Sequence, residues 1–312
     1  MISRHFAAAL SNAWRAESSK SNFSEVQQFR ALMRSFNSLT GLFKLEEFHG
    51  MKHQVLFNGK GSWGRPSARC EISDLLIVSY KTKPKFEARV TLLQAKKSND
   101  KHSGFCPICP SLFSICHGLC KYIVQTNFKA NLEQWDLLSR RPDVLPYPPF
   151  KCKPDILSGA ILPSVGSIGV FHKLKKNHYD FFYMSADMAE PLGSPTQKHA
   201  KLKTKSGNVI RKIKGYEECV FACNIFMFST ALFNLKIGTP IEKDNTIDVK
   251  DDLYRNSFRG WIRSILFSHL EMTNNNSIIA RELLEYLQSD QEEDFMREPP
   301  ATVLINCDDH EV

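Results

Sequence analysis

The sequence predicts an α/β or α+β fold in which a mixed β-sheet is flanked by helices. The chain has 312 residues, of which 42% are hydrophobic and 24% charged, as is typical of a globular protein with a substantial core. Helical and strand-like segments alternate along the chain, and no internal repeat is present. The absence of a P-loop, a GxGxxG motif and an HExxH motif excludes the commonest nucleotide-binding and zinc-protease classes.

The first part of the chain predicts helices followed by a strand. Residues 3–17 favour a short helix, and residues 23–37 favour an amphipathic helix because apolar side chains recur every three or four positions. Ser24 or Asn22 can cap this second helix, and Gly41 ends it. The segment HQVLFNG predicts a strand, and the loop GKGSWGRPSA follows it.

Two neighbouring segments predict an antiparallel hairpin. RCEISDLLIVSY (69–80) and FEARVTLLQAK (86–96) are rich in apolar and β-branched residues. The short segment KTKPK, with Pro84, separates them and is typical of a turn.

The remainder predicts further helices and strands. Helix is expected over 111–138, strands over 167–174 and 180–187, a buried segment over 217–235, and amphipathic helices over 257–272 and 276–289. We therefore expect a core domain at 1–190, a basic loop at 191–216 and a mainly helical part at 217–290, in the same or a second domain. Residues 290–312 contain eight acidic residues and a single arginine. We therefore predict that 291–312 form an acidic, flexible tail.

Polar groups converge at one end of the predicted hairpin. Gln94 and Lys96 lie on the same face because side chains alternate along a strand. Asp74, on the partner strand, lies across from Gln94, and the Ala95 carbonyl lies near the same rim. A carboxylate, an amide oxygen and a carbonyl are ligands that Mg²⁺ accepts, and Lys96 could stabilise charge on a phosphate. The alternative is an ordinary edge strand that ends in polar residues.

This arrangement resembles the PD-(D/E)XK nuclease superfamily. The order of an acid, a hairpin and then Gln94-Ala95-Lys96 is similar to the QxK variant of the Mrr-like branch, and the resemblance covers roughly residues 23–97. It departs from the family pattern in two places: Ser73 stands where the family has proline, and Gln94 is neutral. The resemblance implies a restriction-endonuclease-like core and a Mg²⁺- or Mn²⁺-dependent endonuclease that acts on DNA.

The resemblance also assigns roles to residues. Asp74, Gln94 and the Ala95 carbonyl would hold the metal, Lys96 would be catalytic, and Glu25 or Glu71 would assist. Glu71 faces away from Asp74 in a regular strand, so a bend or bulge would be needed to bring it in. The family further implies a role in restriction or anti-phage defence, a homodimer that cuts both strands, and a partner protein that supplies recognition or regulation.

The charge distribution suggests a polyanionic partner. The net charge is +8, and residues 191–216 contain no acid. We expect a set of basic residues to contact nucleic acid, although a solvated loop is the alternative. The set comprises Lys97, Lys201, Lys203, Lys205, Arg211 and Lys212. The sequence leaves open whether RNA is also a substrate.

The nine cysteines leave two interpretations open. Thiolates at Cys106, Cys109, Cys116 and Cys120 could bind a structural Zn²⁺, although the gap between the two pairs is short for such a site. The alternative is a cysteine-rich segment of free thiols, in keeping with a cytoplasmic protein. We expect no signal peptide and no membrane association, because the longest apolar stretch, 220–235, is short for a bilayer span and contains Asn224.

Two functions from another class compete with the nuclease. One is a catalytically silent subunit that keeps the nuclease fold and binds nucleic acid or protein. The other is an interaction module stabilised by zinc at the cysteine cluster.

Overall fold

The computed structural model describes twelve stretches of the chain, to which all structural statements here refer. They are residues 2–39, 45–46, 54–57, 62–65, 68–98, 127–140, 144–147, 165–175, 178–205, 207–241, 262 and 301–308.

Four helices and sixteen strands lie within these residues. The helices are α1 (Ile2–Ser19), α2 (Glu25–Asn37), α3 (Leu132–Arg140) and α4 (Ile225–Phe233). The strands are β1 (Leu45–Glu46), β2 (Gln54–Phe57), β3 (Arg69–Glu71), β4 (Leu75–Lys81), β5 (Glu87–Lys97), β6 (Asn127–Asn131), β7 (Val144–Tyr147), β8 (Gly166–Lys175), β9 (His178–Ser185), β10 (Ala189–Pro191), β11 (His199–Thr204), β12 (Ile210–Ile213), β13 (Tyr216–Cys219), β14 (Phe221–Ala222), β15 (Thr239–Ile241) and β16 (Ala301–Asn306).

A mixed eight-stranded sheet organises the molecule. Its order is β1-β16-β4-β5-β8-β9-β14, and β15 pairs with β5 off this path. β4 and β5 are antiparallel, whereas β8 is parallel to β5 and β16 is parallel to β4. The predicted α/β class is therefore confirmed.

Apolar side chains cover both faces of this sheet. On one face, alternate residues of the hairpin such as Val78, Val90 and Leu92 pack with α3 and the smaller sheets. On the other face, Leu75 and Leu93 pack with α1, α2 and α4. A strand buried on both faces reads as an unbroken apolar run, which explains the sequences of β4 and β5.

The predicted hairpin is confirmed, but its first strand is shorter than expected. β4 pairs with β5 in a register that places Leu75 opposite Leu93 and Lys81 opposite Glu87. The predicted strand over 69–80 is in fact two strands, because the chain bends at Ile72 and Asp74. β3 belongs to a separate sheet with β2 and β7. Ile72, at the bend, is apolar and buried like most of the strand residues on either side. The apolar pattern of the sequence therefore gives no sign of the bend.

The expected helix over 111–138 is confirmed over 132–138, where α3 lies, but is wrong over 127–131, which form β6. In NFKAN the side chains of Phe128 and Ala130 are buried and Lys129 is exposed, which is the alternation of a strand. α3 begins immediately afterwards, where the Asn131 side chain accepts a hydrogen bond from the Glu133 amide at 2.9 Å. Residues 111–126 lie outside the described residues.

The expected basic loop over 191–216 is also wrong, because it contains two strands. β11 lies between β10 and β6 in a three-stranded sheet, and β12 forms a hairpin with β13. Residues 217–241 contribute strands as well as α4, so this part is not mainly helical where it is described. The helices predicted over 257–272 and 276–289 lie outside the described residues, apart from Ile262.

The end of the predicted flexible tail forms an internal strand. β16 lies between β1 and β4, and its residues Val303 and Ile305 are fully buried. Asp308, just after the strand, accepts hydrogen bonds from the Thr82 amide at 2.7 Å and the Thr82 hydroxyl at 2.6 Å. Acidic residues lie on both sides of this six-residue strand. The charge of the whole segment therefore predicts a flexible tail, although the strand itself is largely apolar.

No described helix has both the length and the apolar character needed to cross a membrane.

We expect removal of residues 301–312 to abolish stable folding. The deletion leaves the edge of β4 unpaired and exposes its buried neighbours, and three buried aliphatic side chains alone correspond to about 5 kcal/mol or more, comparable to the whole stability of many domains. Thermal unfolding followed by circular dichroism measures this. A truncation after Asp308 is the control, and similar behaviour of the two truncations would contradict the central role of β16.

Candidate active site

The hairpin register brings Asp74 to Gln94, as the sequence predicts. The Asp74 amide donates a hydrogen bond to the Leu93 carbonyl at 3.1 Å, which extends the β4–β5 pairing by one step. The Gln94 side-chain Nε2 donates to Asp74 Oδ2. The Ala95 amide donates to the same oxygen at 2.7 Å. One carboxylate oxygen therefore binds both a side chain and the backbone of β5.

The Asp74 carboxylate takes the place of a missing strand partner. β5 continues beyond the start of β4, so the Ala95 amide has no backbone acceptor from β4. A carboxylate that accepts an amide hydrogen bond makes a stronger bond than a neutral acceptor and fixes the local backbone. The Ala95 carbonyl is directed to the same side, because the amide and carbonyl of one strand residue point to the same neighbour.

Gln94 carries an orphaned buried oxygen. Its side chain is 4% exposed, and Oε1 has no hydrogen-bond partner among the described residues. A buried acceptor without a partner costs about 1–3 kcal/mol, so such groups in folded proteins call for an explanation. A bound cation is one explanation, because an amide oxygen is a ligand for a hard metal ion.

Lys96 lies on the same face and meets the start of α2. Its side chain is 11% exposed, and Nζ lies 3.5 Å from Oε1 of Glu25, the first residue of α2. The neighbouring Lys97 donates from Nζ to the Phe23 carbonyl at 2.8 Å, and its Nζ lies 4.4 Å from the centre of the Phe23 ring. Two consecutive lysines thus hold the start of α2 against the end of β5.

Glu71 lies in a different environment from the other predicted site residues. It ends β3, which pairs with β2 in the smaller sheet, whereas Gln94 and Lys96 belong to β5 of the eight-stranded sheet. It lines a cleft of about 620 Å³. The chain does bend between Glu71 and Asp74, but the bend places Glu71 at this cleft.

The cleft is polar and lies beside α3 and β6. Burial raises the pKa of its Cys70 thiol well above the usual value, so this cysteine stays neutral. Gln134, from α3, reaches the cleft. The lining residues are Gln54, Leu56, Arg69, Cys70, Glu71, Asn131, Gln134 and Lys198.

Most of the basic residues expected to bind nucleic acid have partners within the protein. Arg211 pairs with Asp187 at 2.5 Å and with Glu218 at 2.6 Å. Lys205 donates to the Asp187 carbonyl at 2.7 Å. The remaining pairs are Lys203 with Glu190 at 3.0 Å and Lys212 with Glu217 at 3.4 Å. Lys201 is exposed and has no such pair among the described residues.

The donor set at Asp74 fits a hard cation better than a soft one. It consists of the Asp74 carboxylate, the Gln94 amide oxygen and the Ala95 carbonyl, which is directed to the same side. All three are oxygen groups. Within the described ranges, no three histidine, cysteine or acidic side chains cluster in a way that could hold a metal ion. The four cysteines predicted as zinc ligands, from Cys106 to Cys120, lie outside these ranges.

No protein-family model, curated protein or solved structure matches this chain. They therefore assign no family to the chain.

We expect Asp74→Ala to lower the free energy of unfolding by about 1–3 kcal/mol, because it leaves the Ala95 amide and the Gln94 Nε2 without their acceptor. Asp74→Asn should cost less, since its amide oxygen can still accept the Ala95 hydrogen bond. Urea unfolding of both variants and wild type measures the difference. Equal stability of Asp74→Ala and wild type would show that the carboxylate does not hold this corner.

Proposed function

We propose that the chain is a metal-dependent nuclease that hydrolyses DNA phosphodiester bonds. The observation that carries this proposal is the hydrogen bond between Asp74 and Gln94, whose buried amide oxygen has no partner among the described residues. Lys96 lies two residues further along β5, on the same face as Gln94. These are the groups that the resemblance to the QxK variant of the PD-(D/E)XK superfamily assigns to catalysis.

Each group has a separate role in the proposed reaction. Asp74, the Gln94 amide oxygen and the Ala95 carbonyl would hold Mg²⁺ or Mn²⁺. When bound, the ion would polarise the phosphoryl oxygen and lower the pKa of a coordinated water. Lys96 would orient the attacking water and stabilise the charge that develops on the phosphate. A largely buried ammonium group is effective there because water screens it less than at the surface.

Glu25 is favoured over Glu71 as the assisting glutamate. Its carboxylate lies 3.5 Å from the Lys96 ammonium, and its side chain is 44% exposed, so it is open to solvent and substrate. Glu25 would keep Lys96 oriented until a phosphate arrives. Glu71 is assigned instead to the cleft, where it would contact substrate rather than the reacting atoms.

The biological setting is proposed from the resemblance alone. Restriction or anti-phage defence, a homodimer and a partner protein for recognition or regulation are consistent with such a nuclease. A cytoplasmic location fits the free thiols of Cys70, Cys219 and Cys307.

A catalytically silent binding subunit is the second candidate. Two observations favour this candidate. Gln94 is neutral, and the carboxylate of Glu25 is engaged in an ion pair with Lys96. A site with one fewer negative charge binds metal more weakly. Metal-dependent cleavage separates the two candidates.

We expect purified wild-type protein to cut DNA with Mg²⁺ or Mn²⁺ and not with EDTA. Lys96→Ala should reduce the cleavage rate by about 100-fold or more, because it removes a cation that acts on the transition state. Supercoiled, linear and single-stranded DNA are incubated with each protein and resolved on gels.

Lys85→Ala is the matched control for this experiment, since Lys85 is an exposed lysine at the opposite end of β5. It should cut at the wild-type rate. If Lys96→Ala cuts as fast as wild type, Lys96 has no catalytic role. If wild type cuts no DNA with either metal, the silent subunit becomes the better reading.

We expect Gln94→Glu to make stability depend on Mg²⁺. Without metal, two carboxylates lie side by side and repel each other, which destabilises the fold. A cation bound by both relieves this repulsion, and a ligand that binds only the folded state raises its stability. Thermal unfolding with and without millimolar Mg²⁺ should therefore show a rise in Tm a few degrees larger than in wild type.

Gln27→Glu on α2 introduces the same charge at an exposed position and is the control. Its Tm should respond to Mg²⁺ as wild type does. An equal response in Gln94→Glu and Gln27→Glu would show that Gln94 does not border a metal site.

A further inference from the structure

The outer face of the β10-β11-β6 sheet carries a concentration of positive charge. The opposite face of this sheet is apolar and packs into the core through Phe128, Ala130 and Leu202. We call the outer face the lysine face. It consists of Asn127, Lys129 and Asn131 from β6, His199, Lys201 and Lys203 from β11, and Glu190 from β10.

Two lysines of this face lie directly opposite each other. Lys129 pairs with Lys201 in the antiparallel ladder, and both side chains are exposed. No described carboxylate lies within ion-pair distance of either ammonium group. Cβ atoms of such a pair are about 5 Å apart, and like charges so placed destabilise a sheet. A bound anion between them would turn this repulsion into attraction.

The lysine face differs in this respect from the other basic residues nearby. Arg211 and Lys205 are held by Asp187, and Lys212 pairs with Glu217. Lys203 has one partner, Glu190, which lies opposite it on β10. Lys129 and Lys201 therefore provide the positive charge on this sheet that the described residues leave without an ion-pair partner.

β6 links the two functional regions described above. At its start, the Asn127 carbonyl accepts a hydrogen bond at 2.9 Å from the hydroxyl of Ser98, two residues after Lys96. At its end, Asn131 lines the polar cleft together with Lys198. The lysine face thus extends from the candidate active site to the cleft.

We propose that the lysine face binds the sugar-phosphate backbone of the DNA, with Lys129 and Lys201 in direct contact with phosphates. This inference rests on the proposed nuclease function and identifies the surface that holds its substrate. Lys129 was not among the basic residues that the sequence suggested. Lysine–phosphate contacts position a nucleic acid without reading its bases, so the face confers affinity and not sequence preference.

Binding is tested with metal removed, so that hydrolysis does not enter the result. Fluorescence anisotropy of labelled duplex and single-stranded DNA in EDTA is measured for wild type, Lys129→Ala/Lys201→Ala and Lys85→Ala over a range of salt concentrations. The double variant should bind at least about tenfold more weakly, and its salt slope should fall by about 1.4–1.8, as expected for two lost phosphate contacts. Lys85→Ala should bind as wild type does.

Two further measurements sharpen the test. Glu190→Gln removes the described carboxylate of the lysine face and should tighten binding. The double alanine variant should be no less stable than wild type in thermal unfolding, because it removes a like-charge pair, so weaker binding cannot come from unfolding.

Unchanged DNA affinity and salt slope in the double variant would overturn the proposal. An equal loss in Lys85→Ala would also overturn it, since the effect would then reflect net charge alone. Cleavage assays are read separately: a protein that binds through this face but cuts nothing would refute the nuclease and retain the binding surface.

Discussion

The antiparallel register between β4 and β5 is the constraint on which the candidate site depends. Because side chains alternate in a strand, a slip of one residue would turn Gln94 and Lys96 to the opposite face. Apolar packing on both faces fixes the register. Two hydrogen bonds also fix it: the Asp74 amide donates to the Leu93 carbonyl, and the Ala95 amide donates to the Asp74 carboxylate. The same aspartate therefore ends one strand, secures the next and supplies the only carboxylate that the described structure places against Gln94.

The balance of charge at the site differs from that of a metal centre rich in carboxylates. One carboxylate oxygen of Asp74 accepts hydrogen bonds from two donors. The carboxylate of Glu25 forms an ion pair with Lys96, so it is not available for metal binding alone. Such a site would hold a cation loosely until a phosphate adds its own negative charge. Substrate and metal would then bind cooperatively in the proposed nuclease.

Local patterns predicted the hairpin and the meeting of Asp74 with Gln94, because both follow from strand alternation and a short turn. The break at Ile72, the strand over Asn127–Asn131 and the strand at Ala301–Asn306 were missed. The two strands are short and their pairing partners lie far away in sequence, so tertiary contacts decide their structure. The break separates β3, which pairs with β2, from β4, which pairs with β5. The partners of Lys203, Lys205 and Arg211 come from other segments of the chain, so a count of charges along the sequence could not identify them.

The placement of β16 has a consequence for how the chain folds. Asp308 and its partner Thr82 are 226 residues apart in sequence, and the whole β16–β4 ladder closes a loop of similar length. Closing such a loop is entropically costly, so this pairing should form late and slowly. Until then β4 presents an apolar, unpaired edge that other chains can extend. Aggregation during expression would accordingly be governed by the concentration of nascent chains and by chaperone supply, more than by the stability of the finished fold.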